Sequence, residues 1–167
     1  MHRNMRRFRQ ALGMEACEAV MQRGTSGVLA LCGEDGPYAV PLSYAYMDGK
    51  VIFHCAKEGH KLDCVRYDSR ASFCVIDQDE VIPERYTTYY RSVIAFGRIR
   101  EVTDRQEMIS LCAALGMRYR PGHREDVHAE IEGALSRLCV LVMDVEEMTG
   151  KEARELMEQR EAARRES

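Results

Sequence analysis

Between Gly24 and Val102 the chain alternates short β-type runs with tight-turn residues and leaves room for one short helix. That spacing constrains the fold more than any other feature. Strands joined by turns pair antiparallel, whereas parallel strands need long crossovers. Gly27 to Cys32 is an apolar run between glycines and predicts a buried strand. Gly33-Glu34-Asp35-Gly36 is turn chemistry, and Pro37 to Met47, rich in Val and Tyr, predicts a second strand. Pro41 inside it cannot donate to a ladder, which points to an edge or a bulge. Asp48-Gly49 is a hairpin signature before a third strand, Lys50 to Cys55. Ala71 to Ile76 and Tyr90 to Val102 predict a fourth and a fifth strand around a polar loop, Asp77 to Thr88. Leu138 to Val145 is the last, and its run Leu138 to Met143 is wholly apolar. Six strands in this arrangement predict a mainly β fold, an antiparallel barrel with flanking helices.

The helices follow from apolar spacing. Met5, Phe8, Leu12, Ala16 and Val20 predict an N-terminal helix over 1–24, ended by Gly24. A short helix is predicted from Gly59 to Tyr67. Thr103 and Gln106 form a capping box before Met108, Leu111, Cys112 and Leu115. Pro121-Gly122 breaks the chain, and Val127, Ile131 and Leu135 mark a further helix. Thr149 and Glu152 repeat the capping pattern, predicting a charged helix over 149–167. The whole chain, 1–167, reads as a single domain.

Composition excludes several classes of function. The net charge of −3 gives no whole-molecule pull toward nucleic acid or anionic lipid. The basic run Arg3, Arg6, Arg7 and Arg9 reads as a solvated helix face. No apolar run approaches the roughly 20 residues of a membrane helix, and no apolar signal core follows the first arginines. The seven cysteines are odd in number and contain no Cys-x-x-Cys pair, which suits reduced thiols in a cytoplasm.

The chemistry concentrates in Phe53-His54-Cys55-Ala56-Lys57-Glu58-Gly59-His60-Lys61-Leu62-Asp63, a strand-to-helix turn. A helix N-terminus already carries partial positive charge, so Lys61 in the first turn, with Lys57 and His60 beside it, opposes the dipole at about 0.3–1 kcal/mol per cation. A bound phosphate offsets that, and Gly59 lets backbone approach the anion. The bland alternative is a helix start whose lysines are balanced by Glu58 and Asp63.

The order of Pro37-Tyr38-Ala39-Val40-Pro41-Leu42-Ser43-Tyr44, then His54 to Lys61, then Ser72-Phe73-Cys74-Val75 and Ser92-Val93-Ile94-Ala95-Phe96-Gly97-Arg98, resembles the pyridoxamine 5′-phosphate oxidase-like flavin-binding proteins. It is most similar to the branch of the 5-nitroimidazole-resistance reductases. The resemblance implies a split β-barrel with FMN at the interface of a homodimer. It implies that Val40, Pro41, Leu42 and Ser43 line one side of the flavin. His54, Cys55 and Ala56 would run beneath it, and Lys57, Gly59, His60 and Lys61 would receive the phosphate. The partner subunit would contribute the strand beginning Arg91-Ser92-Val93. The expected activity is FMN-dependent reduction of a small organic acceptor such as a nitro compound. A flavin carrier or sensor, a deazaflavin protein, and a haem protein with His54 or His60 as axial ligand remain alternatives. Pyridoxamine phosphate oxidase activity itself fits less well, because the chain has no Trp and ends in a charged helix.

Other residues carry weaker signals. His123 and His128 lack a third ligand, so no metal is expected there. Tyr86, Tyr89 and Tyr90 with Arg85 and Arg91 suit a dimer interface, a pocket rim or plain strand packing. Asp77, Asp79 and Glu80 read as a solvated acidic turn.

Overall fold

The computed structural model describes residues 5–165. Seven strands form one sheet: β1 (Ser26–Gly33), β2 (Gly36–Ser43), β3 (Ala45–Met47), β4 (Lys50–Ala56), β5 (Arg70–Ile82), β6 (Thr87–Glu101) and β7 (Leu138–Glu152). All strand pairs are antiparallel. The flanking helices are α1 (Met14–Arg23), α2 (His60–Tyr67), α3 (Arg105–Tyr119), α4 (Arg124–Ala134) and α5 (Arg154–Arg165). Among the described residues no helix is long and apolar enough to cross a membrane.

The order across the sheet is β2-β1-β5-β6-β7-β4-β3. Its two edge strands are consecutive in the chain and joined through Tyr44, so the sheet curls until its edges meet in the expected split barrel. The run Pro37–Met47 is therefore two strands, and the barrel has seven strands where the sequence predicts six. β2 is an edge, which is how it accommodates Pro41, paired with Val28 on one side only.

Side-chain alternation builds two cores. Cys139, Leu141 and Met143 of β7 point into the barrel with Leu29, Phe53 and Phe73. Val140 and Val142 point the other way, with Ile52, against Leu111, Leu115, Val127 and Ile131 of α3 and α4. The first part of β7, Leu138 to Met143, is apolar throughout because it is buried on both faces. At Gly97 the β6–β7 register shifts, and a Cβ there would overlap the Asp144 carbonyl.

Four expectations about boundaries are corrected. The N-terminal helix begins at Met14; Phe8–Gln10 is a 3-10 turn, and Ala11 bridges to Lys151. Arg6, Arg7 and Arg9 therefore do not share a helix face with α1, and Arg3 lies outside the described residues. The segment Asp77–Thr88 is no loop: β5 and β6 continue as a paired ribbon to a turn at Pro83–Arg85, with a bulge between Ile76 and Gln78. The cap of α3 is Asp104, accepting from the Glu107 N–H at 2.7 Å, one residue beyond Thr103. Thr149 and Glu152 lie in β7, and α5 starts at Arg154.

Candidate functional site

The split arises at Tyr44. Before it, β2 pairs with β1; after it, β3 pairs with β4 and ends at Ala45↔Ile52. Beyond Ile52, residues 53–56 of β4 pair with β7 alone. Two backbone edges, 40–43 and 53–56, are thus each paired on one side only, to β1 and to β7, and carry unpaired ladder groups on the other.

Tyr44 is held from every side. Its hydroxyl donates to the Met21 carbonyl at 2.7 Å, and its N–H donates to the Tyr119 hydroxyl at 3.2 Å. That hydroxyl also lies 2.8 Å from the Tyr44 carbonyl and 2.7 Å from that of Thr25. Arg118 donates to the Gly24 carbonyl and stands 5.6 Å from the Tyr44 ring centre. The end of α3 therefore fixes the point of divergence, and nothing in the local sequence announces Tyr119 in that role.

The structure sorts the flagged residues by face. Pro41 and Ser43 are exposed, whereas Val40 and Leu42 pack against the barrel core. His54 and Ala56 are exposed on β4, and Cys55 turns inward between them. Cys55 faces Cys139 across the ladder. Burial raises the Cys55 thiol, with Lys61 opposing, and burial pushes Cys139 up to about 12. Both thiols stay protonated at neutral pH, and neither is poised as a nucleophile.

The cationic turn has the geometry of an open helix start. Gly59 caps α2 at φ 128°, a conformation only glycine adopts readily, and no side chain caps the first turn. Asp63 does not balance the lysines; it lies 3.8 Å from Arg66. Among the described residues neither Lys57 nor Lys61 makes an ion pair. His60 points elsewhere, 3.7 Å from Asp35 and edge-on to Tyr38 at 4.6 Å.

Arg91 and Ser92 lie on β6, in the middle of the sheet. Arg91 bonds Glu152 at 3.0 Å and Asp77 at 3.2 Å. Glu152, fully buried, also accepts from Arg160 at 2.7 Å, and Asp77 pairs with Arg23 at 2.5 Å. Asp77 is thus no solvated turn residue: burial raises its carboxyl, Arg23 and Arg91 more than offset that, and it sits below the usual carboxylate range. Asp79 and Glu80 are exposed as expected. Tyr86, at the ribbon tip, is 98% exposed; Tyr89 accepts from Arg85 at 2.7 Å, and Tyr90 lies under Lys151. His123 stands 3.4 Å from Asp126, and no metal-holding cluster occurs among the described residues.

On the outer face of β1, β2, β5 and β6 small and apolar side chains align across strands. One row is Pro41, Val28, Cys74 and Ile94; the next is Ala39, Ala30, Ser72 and Phe96. Val28 and Ile76 are exposed on this face.

The sequence matches the family described as pyridoxamine 5′-phosphate oxidase over residues 14–152. An uncharacterized protein of Rhizobium meliloti is 28% identical over 153 residues, 87% of this chain and 96% of the relative. A conserved hypothetical protein of Mycobacterium tuberculosis aligns with a TM-score of 0.78 at 18% identity, covering 92% of each chain. A FAD and haem binding protein of Mycobacterium smegmatis aligns at 0.74 and 18% identity, over 87% of this chain and 74% of its own. A Bacteroides thetaiotaomicron protein assigned to 5-nitroimidazole antibiotic resistance aligns at 0.71 and 16% identity, over 84% and 85%.

Proposed function

We propose that this chain, which belongs to the pyridoxamine 5′-phosphate oxidase family, binds FMN in the split between β2 and β4 and reduces a small organic acceptor such as a nitroaromatic compound. The observation that carries this reading is the pair Lys57 and Lys61, without carboxylate partners among the described residues, beside an uncapped helix start. Such an arrangement is stabilised by a dianion, since dipole, free N–H groups and ammonium groups then act together. The cations gather at one turn, which suits a single terminal phosphate and hence FMN over FAD. His60 would join them only by leaving Asp35.

The diverging edges 40–43 and 53–56 suit the polar rim of a flavin ring, which needs backbone donors and acceptors as well as apolar walls. Pro41, Ser43, His54 and Ala56 present side chains to that opening; Val40, Leu42 and Cys55 would act through backbone. Bound there, FMN would supply the electron-transfer chemistry. The chain would hold the phosphate, orient the ring and shape the acceptor's approach.

Most of these residues are exposed in one chain, so the site needs a cover. The bare apolar rows on β1, β2, β5 and β6 suit a homodimer in which Ser92 and the Arg91 strand reach the partner's cofactor. Arg91 is anchored by Glu152 and Asp77, which makes that strand a rigid contributor. The free cysteines fit a reducing cytoplasm. The acceptor class follows the Bacteroides neighbour, and the haem alternative follows the Mycobacterium smegmatis one. A visible spectrum after incubation with FMN and with haem separates them. Flavin absorption with flavin-dependent consumption of reduced nicotinamide and a nitroaromatic supports the proposal. A Soret band without flavin binding overturns it.

A further inference from the structure

We infer that a second small-molecule site lies between α3, α4 and the outer face of β4 and β7, and that it takes small organic monocations, amines with an aliphatic or aromatic body. The cavity there measures about 470 Å³, within the range of ligand pockets. Its floor is apolar, with Leu115, Val127 and Ile131 buried in the second core. Its rim carries His54, Arg120, Asp126 and Glu130.

The rim fixes the charge of the occupant. Arg120 and Asp126 neutralise one another at 2.8 Å. Among the described residues the side chain of Glu130 makes no hydrogen bond or ion pair, and neither does that of His54. The lining therefore holds one unmatched negative charge and one imidazole over an apolar floor. An inorganic cation finds no cluster of three ligating groups here. A neutral apolar ligand would leave Glu130 unmatched. An organic ammonium satisfies both features, since its head meets Glu130 and its body covers the floor. Apart from His54 no lining residue belongs to the flavin split, so this site is tested separately from FMN binding.

Calorimetric titration of the full chain with benzylamine, and with benzyl alcohol as the neutral match, tests it. Benzylamine is expected to bind once per chain, with benzyl alcohol about 10-fold weaker or more. Glu130→Gln is expected to lower benzylamine affinity about 10-fold, the scale of a lost charge-assisted contact. Ala134→Phe, which fills the cavity from α4, is expected to abolish binding. Circular dichroism checks that both variants fold, and the exposed Glu130 variant carries the test should Ala134→Phe fail to. Equal affinity for amine and alcohol, or full amine affinity in Glu130→Gln, overturns the assignment. FMN titration of the same samples reads the flavin proposal alone: loss of flavin binding with amine binding as expected counts only against that proposal.

Discussion

The two sides of this one sheet are finished differently. Around β4 and β7 both faces are buried, one inside the barrel and one under α3 and α4. Around β1, β2, β5 and β6 the inner face is equally buried, but in the outer row Pro41 and Val28 are exposed and Cys74 and Ile94 only partly buried. The covered side holds the chain together. The bare side is apolar without comparable cover, which is what the proposed homodimer needs of it.

The largest expected contrast is in stability. Leu141→Ala, at a fully buried position, is expected to lose about 3–5 kcal/mol in urea unfolding. Ile76→Ala on the bare side is 63% exposed and is expected to lose less than about 0.5 kcal/mol. Similar losses at both would erase the distinction. Assembly should show the reverse: Val28→Asp is expected to leave the fold intact and shift light scattering from dimer to monomer. A wild-type monomer that still binds flavin tightly would break the shared-site reading.

Next comes the cationic turn. Lys61→Ala is expected to weaken FMN binding by about 1–3 kcal/mol, the range for a charge-assisted contact, and unchanged affinity on titration would remove the phosphate assignment. The buried ion pairs give a pH signature. The Asp77 carboxyl titrates below its ordinary value of 3.8, so its stabilisation is present above that pH and lost as pH falls through the folded value. Asp77→Asn should flatten the acid limb of the stability profile; an unaltered limb would show that the Arg23 and Arg91 contacts contribute nothing. The smallest effect is at α3, where Asp104→Ala is expected to cost about 1 kcal/mol and Thr103→Ala close to nothing. Equal effects in thermal melts would contradict the observed cap.

Much of this was legible in the sequence, and the misses have physical causes. β7 was readable as far as Val145 because burial on both faces makes Leu138 to Met143 a continuous apolar run. Its continuation to Glu152 was not, because a buried carboxylate depends on Arg91 and Arg160, distant in sequence. Ser43-Tyr44-Ala45 contains neither Gly nor Pro, so the change of partner was invisible; tertiary contacts with Met21 and Tyr119 enforce it. The ribbon from Asp77 was disguised by its charges, which face Arg23 and Arg91 or solvent while the backbone stays paired. Phe8 and Leu12 mimicked helical spacing, but Leu12 is drawn to the Gly150 carbonyl at 2.9 Å, in extended chain. The cationic turn was local and therefore readable in composition; the turning of His60 toward Asp35 belongs to a neighbouring hairpin and was not.

The anchoring of Tyr44 has a consequence for selectivity. The strands pairing with each side of the opening change over at one residue, and that residue is tied by its N–H and its ring hydroxyl, with a third contact at its carbonyl, to two separate helices. If FMN binds there as proposed, the aperture is preset and not shaped by the arriving guest. A rigid mouth of this kind spends little ordering entropy on capture, and it rejects oversized guests by shape instead of yielding to them.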